Sequence, residues 1–178
     1  MHLDIVQTNP VDRIIRPKQQ KPRKEKIALT KEELNKFLTL AKKDARPVLY
    51  TAWHTLAYTG LKRGELLGLE WSDIDFKNKT ISVSKTLVTI NGKLSTQSPK
   101  TKRSARTISL DDSTIQILKE WKLEQKKLFF KFGVKPTNIV ITNTKGGYFD
   151  FAHFRDELRY FLGKHKLKQF SVHSLRHT

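Results

Sequence analysis

Three side chains near the end of the sequence could bind one phosphate together. His173, Arg176 and His177 stand at positions i, i+3 and i+4, so on a helix they would share one face. Ser171 could cap that helix, which would place the three side chains in its first turns. There the free amide N–H groups and the helix dipole attract anions. The segment Ser171–Thr178 therefore predicts a phosphate-binding site on local geometry alone.

The two histidines allow two other interpretations. His173 and His177 could be ordinary core or surface histidines, which is the commoner case for a pair chosen at random. They could instead ligate a metal at i, i+4, but a zinc-protease motif needs glutamate at position 174, where the sequence has Ser174. No carboxylate partner follows them, so a metal site is the least favoured interpretation.

Two other segments add cations and an acidic residue. Residues 58–75 contain Lys62, Arg63 and Glu65 in a glycine-rich stretch. Residues 99–110 hold a second group of cations: Lys100, Lys102, Arg103 and Arg106.

These residue types suit the breakage of a phosphodiester by a protein nucleophile. The pentacovalent transition state gathers negative charge on its non-bridging oxygens, and fixed cationic donors stabilise it more than the ground state. Arginine binds phosphate bidentately through its planar fork. A lysine on a mobile hairpin could protonate the leaving 5′ oxygen if nearby cations lower its pKa, and histidine could donate a hydrogen bond or shuttle a proton.

The charge of the chain favours a polyanionic partner. Its 178 residues include 35 Lys and Arg against 17 Asp and Glu, a formal net charge of +18. Each cation that meets a phosphate releases condensed counterions, so DNA or RNA is the favoured partner. A highly soluble or ribosome-associated protein, or one that docks on anionic membranes, stays open on charge alone.

The composition excludes several other classes. The sequence has no cysteine, which excludes disulfides, thiolate metal sites and a cysteine nucleophile and fits a cytosolic setting. No apolar run approaches the roughly 20 residues that a membrane span needs. The first residues lack the basic-then-apolar order of a signal peptide, so we expect no membrane partner.

The pattern of apolar residues predicts a helical domain after a basic arm. Residues 1–28 are interrupted by prolines and rich in Lys and Arg, which is typical of a linker along phosphates or of a solvated spacer. Thr30 and Glu33 form a capping box that begins the first helix. Further helices are predicted over residues 47–58, 65–69, 112–132 and 151–162, with another beginning at Ser171. In the long helix, Leu118, Trp121, Leu128, Phe129 and Phe132 should form the core stripe.

A small antiparallel sheet is predicted between these helices. Residues 80–84 alternate, Asn91-Gly92 is a strong hairpin signal, and residues 106–110 should complete the sheet. The fold class is therefore mainly α with a small antiparallel β-sheet, that is, α+β.

The three segments occur in the order and separation seen in the tyrosine recombinases. From Leu29 to Thr178 the chain resembles the catalytic domain of this phage-integrase class. The resemblance implies the tyrosine-recombinase catalytic-domain fold, C-terminally incomplete, and makes residues 1–28 an interdomain linker. It implies site-specific DNA recombination, for the integration or excision of a mobile element, through a 3′-phosphotyrosyl intermediate.

The resemblance also implies a role for each site residue. Lys100 is similar to the hairpin lysine that acts as general acid, and His173 and Arg176 match the pair that contacts the scissile phosphate. Glu65 matches the acidic residue that orients the site, and Trp71 should be a packing residue. DNA contacts are expected from Arg63, Lys102, Arg103, Arg106 and His177.

One site residue departs from the family pattern. The arginine of the first motif falls at position 62, where this chain has Lys62. Lysine keeps the charge but loses the planar fork, so we expect a transition-state clamp weaker by about 2–4 kcal/mol. Arg63 is adjacent, but neighbouring helical residues point in different directions, so it cannot simply take over. A variant residue at 62, or a shift of one position that lets Arg63 serve, stays open.

The nucleophile is the second departure. The family places its tyrosine after the second motif, whereas the four tyrosines here precede it: Tyr50, Tyr58, Tyr148 and Tyr160. They have the surroundings of core or surface tyrosines. We therefore expect the chain as given to bind DNA without cleaving it.

The resemblance implies the partners as well. They are double-stranded DNA at attachment or core sites, other protomers in a tetramer, and excisionase or host bending proteins. No cofactor or metal is expected, because covalent catalysis conserves the bond energy. The setting would be the cytoplasm of a bacterium, with a bacterial or phage-encoded gene. Two rivals stay open: a non-catalytic basic DNA-binding module and an RNA-binding protein.

Overall fold

Helices, a β region and further helices follow one another along the chain. The computed structural model describes residues 28–98 and 105–176, so nearly all of the predicted linker lies outside the described residues. The helices of the described ranges are α1 (Lys31–Asp44), α2 (Pro47–Thr59), α3 (Arg63–Leu67), α4 (Asp112–Phe132) and α5 (Phe151–Lys164). The strands are β1 (Ile74–Asp75), β2 (Thr80–Val83), β3 (Thr86–Ile90), β4 (Lys93–Gln97) and β5 (Arg106–Ser109). Short 3-10 helices cover Trp71–Asp73 and Ser174–Arg176. The predicted fold class is confirmed.

Helix α1 begins at the predicted capping box. The Thr30 hydroxyl accepts a hydrogen bond from the Glu33 amide at 3.2 Å, and the Glu33 carboxylate accepts one from the Thr30 amide at 3.0 Å. Such a cap contributes about 1 kcal/mol because it satisfies amides that a helix start leaves unpaired. The helix buries Phe37, Leu38 and Ala41 on the side that faces the core.

Helix α2 lies at the centre of the molecule. It starts with Pro47, ends at Gly60 in the left-handed conformation (φ 62°), and buries residues on all sides, as expected for a core helix. Trp53 is fully buried, with its ring 5.3 Å from that of Phe37 and 5.2 Å from that of Phe161. Helices α1, α3 and α4 and the 3-10 helix Ser174–Arg176 all pack against α2. The helix that follows Lys62 and the 3-10 helix that contains Arg176 are therefore both attached to α2.

The β region forms two sheets rather than the single one predicted. Strands β1, β2 and β5 make a three-stranded antiparallel sheet, and β3 pairs only with β4 among the described residues. The predicted Asn91-Gly92 turn is confirmed: both residues have positive φ, 47° and 75°, and Ile90 pairs with Lys93 across it. Strand pairing between distant segments depends on tertiary packing, which a local pattern does not record.

The hairpin position expected for Lys100 stays a prediction. Residues 98–105 join β4 of the two-stranded sheet to β5 of the three-stranded one. Lys100 itself, with Lys102 and Arg103, lies outside the described residues. The strands on either side of it are nevertheless fixed, so both ends of its segment are anchored.

Helix α4 confirms most of its predicted core stripe. Asp111 caps it, accepting a hydrogen bond from the Thr114 amide, and the buried residues include Leu118, Trp121 and Phe129, with Leu128 partly buried. Phe132 is 66% exposed, so its assignment to the core was wrong. The helix ends at Gly133 immediately after it, and its last turn extends past the core. No helix within the described ranges is long and apolar enough to cross a membrane.

A buried glutamine that the apolar pattern missed joins α4 to two loops. Gln125 is 3% exposed and accepts a hydrogen bond from the Trp71 indole at 2.9 Å. Its amide donates to the carbonyl oxygens of Ile139 and Val140 and to the Thr142 hydroxyl. Trp71 is 8% exposed, which confirms its predicted role in packing.

Candidate functional site

Lys62 stands at the turn between α2 and α3, with its side chain exposed. The left-handed Gly60 ends α2, and the buried Leu61 follows, its amide donating to the Thr59 hydroxyl at 3.3 Å. Lys62 is the N-cap residue of α3, and its own amide donates to the Glu65 carboxylate at 2.8 Å. The backbone at position 62 is therefore fixed while the ammonium group can reach solvent or a ligand.

Glu65 is the buried acidic residue of this turn. It is 8% exposed and accepts three hydrogen bonds, one from the Lys62 amide and two from the Arg106 guanidinium at 3.0 and 2.8 Å. Burial by itself raises the pKa of Glu65, but the bonds from Arg106 and Lys62 outweigh it, and the pKa lies below its ordinary value. Its carboxylate is thus ionised at neutral pH, and the same pairing raises the pKa of Arg106.

Helix α3 lies close against strand β3 because Gly64 within it and Gly68 at its C-cap lack side chains. A Cβ at Gly64 would stand 2.5 Å from the Thr86 hydroxyl and 2.9 Å from the Leu87 carbonyl oxygen. A Cβ at Gly68 would stand 2.8 Å from the Leu87 amide nitrogen. The four-residue spacing puts both glycines on the same face, so the helix that follows Lys62 is seated directly on the β3–β4 hairpin.

Arg63 points to a different place from Lys62. Its guanidinium lies over the Phe151 ring, 4.8 Å from the centroid, at the start of α5. Burial, with the neighbouring charge of Arg155, lowers the pKa of Arg63. Glu65 contacts the backbone of residue 62 and not the side chain of residue 63 in the hydrogen bonds above. This geometry favours Lys62 over Arg63 at the position of the family arginine.

The segment 171–176 is anchored by two serines and two apolar residues. Ser171 caps it as predicted, since the Ser171 hydroxyl accepts from the Ser174 amide at 3.2 Å. The described turn is a 3-10 helix of three residues rather than an α-helix, because its amides bond to carbonyls three residues back. Val172 and Leu175 are buried beneath it. The attraction of anions by an α-helix dipole, which the sequence predicted for this segment, therefore does not apply to the described turn.

His173 and Arg176 keep a shared side in this turn. Residues i and i+3 eclipse each other in a 3-10 helix, so the exposed His173 and the half-buried Arg176 lie on one face. The turn packs against α2, the helix that leads directly to Lys62. His177, predicted to stand on the same face, lies outside the described residues.

Two of the predicted site residues lie on segments that contact the same helix. Lys62 and Arg176 stand on segments that both pack against α2, and Glu65 supports the first of them. Arg106, predicted as a DNA contact, instead places its guanidinium on Glu65. A pocket shared by positions 62, 100, 173 and 176 stays a prediction. The described residues contain no group of His, Asp and Glu that could hold a metal.

Sequence reasoning missed a lysine beside this site. The Lys85 ammonium lies 3.0 Å from a carboxylate oxygen of Glu70 and 3.0 Å from one of Asp73. Burial lowers the pKa of Lys85, but the bonds to Asp73 and Glu70 outweigh that effect and raise it. These two salt bridges connect the residue before β3 to the 3-10 helix that follows α3. In the sequence, the only hint of this ion pairing is the presence of acidic residues at positions 70 and 73. No nearby residue pattern identifies Lys85 as their partner.

The four tyrosines have the settings expected of structural residues. Tyr58 stacks on the buried His54 with ring centroids 4.4 Å apart, and Tyr50 lies at the edge of the same histidine. The Tyr148 side chain is partly buried against the core, and Tyr160 is 71% exposed on α5.

The model of the phage integrase family matches residues 28–178, and the chain belongs to that family. It is 31% identical over 180 residues to the ICEBs1 integrase of Bacillus subtilis (strain 168), covering 100% of this chain and 48% of the relative. It is 36% identical over 134 residues to the protein "Tyrosine recombinase XerC-like" of Caldanaerobacter subterraneus, covering 67% and 34%. The chain spans about half the length, or less, of these curated relatives.

Solved structures show the same architecture. The Tn1549 transposon integrase in complex with transposon right end DNA superposes with a TM-score of 0.78 at 25% identity, covering 98% of this chain and 58% of that one. The XerA recombinase superposes with a TM-score of 0.62 at 20% identity, covering 89% and 49%. The predicted tyrosine-recombinase catalytic-domain fold is therefore confirmed.

Proposed function

We propose that this chain is the phosphate-binding part of a site-specific recombinase that cleaves and rejoins DNA through a 3′-phosphotyrosyl intermediate. The observation that carries the proposal is the turn at Lys62, where an exposed cation is held by a buried, ionised Glu65 beside the helix that supports Arg176. Family membership and a net charge of +18 support it. Relatives are named integrases and recombinases, and one fold neighbour is bound to DNA.

Each residue has a role in this proposal. Lys62 and Arg176 stabilise the negative charge that gathers on the non-bridging oxygens of the scissile phosphate, and His173 donates a hydrogen bond to it. Lys100 protonates the leaving 5′ oxygen. Lys102, Arg103 and His177 contact the DNA backbone around this centre.

The nucleophile is a separate part of the proposal. None of the four tyrosines serves as the nucleophile, because each has a packing or surface setting described above. The 178-residue chain therefore binds duplex DNA and forms no covalent adduct by itself. An adduct on a nicked suicide duplex, seen by denaturing electrophoresis and abolished by changing one of these tyrosines to phenylalanine, would contradict this.

The partners follow from the same chemistry. The DNA is double-stranded and carries the attachment or core sites of a mobile element, four protomers assemble on two such sites, and excisionase or host bending proteins assist. The reaction takes place in the bacterial cytoplasm. Transesterification needs no energy source, so no nucleotide enters it.

DNA binding by the 178-residue chain tests the function directly. Fluorescence anisotropy with a 30-base-pair duplex, titrated at several salt concentrations, should give tight, salt-dependent binding. Lys62→Ala and Arg176→Ala should each reduce the salt slope by about one, since each removes one phosphate contact. Lys119→Ala, on the exposed side of α4, is the matched control. Preference for single-stranded RNA, or site variants that bind like the control, would overturn the proposal.

Lys62 itself favours one alternative, a DNA-binding module without chemistry. Lysine at the position of the family arginine keeps phosphate affinity but loses the bidentate fork on which transition-state stabilisation depends. A full-length protein that binds duplex DNA and yields no adduct, even after Lys62→Arg, would establish this alternative.

A further inference from the structure

Glu65 connects two parts of the chain that are far apart in sequence. Its Oε1 accepts from Arg106 at 3.0 Å, and its Oε2 accepts both from Arg106 and from the Lys62 amide at 2.8 Å. The carboxylate is 8% exposed, and the Arg106 side chain is 36% exposed. The buried Glu65 carboxylate thereby joins Arg106, the first residue of β5, to Lys62, the N-cap residue of α3.

Lys62 and Arg106 each bear on one of the cations predicted for the reaction. Lys62 is itself one of them, and Arg106 follows Lys100 by six residues. An extended chain of that length spans at most about 20 Å, so fixing Arg106 limits where Lys100 can lie. The pair Glu65–Arg106 thus holds the backbone of Lys62 and limits how far Lys100 can lie from β5.

The hydrogen bonding of Arg106 does not suit a DNA contact. Two of its donors form a fork-to-fork pair with the carboxylate, the geometry in which guanidinium binds an anion most specifically. A phosphate could use only the donors that Glu65 leaves free, and taking the paired donors would leave that carboxylate buried without its partner, which is strongly unfavourable. The two charges also cancel, so the pair adds no net charge to the attraction of DNA.

We propose that Arg106 is a positioning residue: through Glu65 it holds the backbone of Lys62 so that the ammonium group faces the scissile phosphate. The proposal rests on the function proposed above and gives Arg106 a role other than the DNA contact expected from the sequence. Arg106 contacts neither substrate nor reacting atoms in this role. It acts only through the carboxylate that it orients.

A charge-neutral double variant separates positioning from DNA contact in the 178-residue chain. In a chain that already carries Lys62→Ala, Glu65→Gln with Arg106→Met removes one charge of each sign and can no longer act through Lys62, so a positioning pair should leave the salt slope of duplex binding unchanged. Loss of a phosphate contact would lower that slope by about one and overturn the proposal. Lys119→Gln, which removes an exposed charge far from Glu65 in sequence, calibrates the assay.

Hydrogen exchange gives a second measurement on the same chain. Arg106→Lys keeps the positive charge and a single bond to Glu65, so the fold should survive. The Lys62 amide should exchange faster in this variant than in the unchanged chain, because the carboxylate that accepts it is held less firmly. Unchanged exchange at this amide would overturn the proposal.

Cleavage by the full-length protein separates positioning from a purely structural role. Single-turnover cleavage of a nicked suicide duplex at saturating DNA should fall by about 100-fold in the double variant, with the concentration dependence unchanged and Arg106→Lys intermediate. The double variant could instead unfold at a lower temperature and still cleave at the normal rate when assayed below that temperature. That result would mean that the pair only stabilises the fold. If the unchanged protein fails to bind or cleave duplex DNA, the proposed function fails instead, which is a different result.

Discussion

At the scale of single residues, the carboxylate of Glu65 determines how the site is built. A buried charge costs several kcal/mol unless hydrogen bonds and an opposite charge compensate it, and Glu65 has both. Because its pKa is lowered, the stabilisation that it gives is present above the ordinary carboxyl pKa and is lost as pH falls through the folded pKa. The site therefore keeps its charge arrangement throughout the neutral range.

Lys62→Arg should increase the rate of strand cleavage by the full-length protein. The side chain at 62 is exposed and the Glu65 bond goes to the backbone, so arginine fits without loss of the cap. Restoring a bidentate donor should accelerate single-turnover cleavage by about 100-fold, the scale of one oxyanion donor. Duplex affinity should change little, because the net charge is the same.

The adjacent arginine provides the control for this prediction. Arg63→Lys should lower the thermal unfolding temperature and leave the cleavage rate unchanged, because its guanidinium stacks on Phe151. If Arg63→Lys lowers the rate while Lys62→Arg has no effect, position 63 serves as the family arginine and the alignment by one residue is wrong.

At the scale of elements, the predictable features were those fixed by neighbouring residues. The capping box at Thr30 and the Asn91-Gly92 turn each need only a few consecutive residues, and both are confirmed. The division into two sheets depends on β2 pairing with β5, some 25 residues later, and no local pattern records that choice. The Glu65–Arg106 pair spans 41 residues and was missed for the same reason.

The seating of α3 on β3 gives a prediction at this scale. Gly64→Ala should lower the free energy of unfolding by about 1–3 kcal/mol, because the added Cβ would overlap the Thr86 hydroxyl and the Leu87 carbonyl oxygen. Backbone atoms cannot rotate away, so the helix and hairpin must separate slightly. Urea denaturation followed by tryptophan fluorescence measures the change.

Gly163→Ala is the matched substitution for this experiment. Gly163 lies in α5, and a Cβ there would meet no atom within 4 Å. Alanine should be neutral or stabilise by up to about 1 kcal/mol, because it is the better helix former. Equal destabilisation by both substitutions would show that the contact with β3 is not the cause.

At the scale of the whole molecule, the site depends on α2 as its common support. The helices and the turn that flank the candidate site pack against it, so their relative positions are set by the core rather than by contacts within the site. The sequence identified α2 as a buried helix but could not show which segments meet it. That requires the long-range packing of Phe37, Phe161 and Trp53. A change that loosens α2 should therefore affect stability and DNA binding together.

His54 makes the stability of this central helix depend on pH. It is 5% exposed, and its pKa lies below the ordinary 6.5 because burial disfavours the charged form, with Asp111 opposing and Lys42 reinforcing that effect. The unfolded chain then binds the proton more readily than the folded one. The free energy of unfolding should therefore be highest above pH 6.5 and fall as pH decreases from 6.5 through the folded pKa.

In His54→Gln this decrease in the free energy of unfolding should largely disappear, whereas His153→Gln, at an exposed position, should retain it. Urea denaturation at pH 8 and at pH 5.5 measures both, and a decrease of the same size in His54→Gln would assign the effect to other groups.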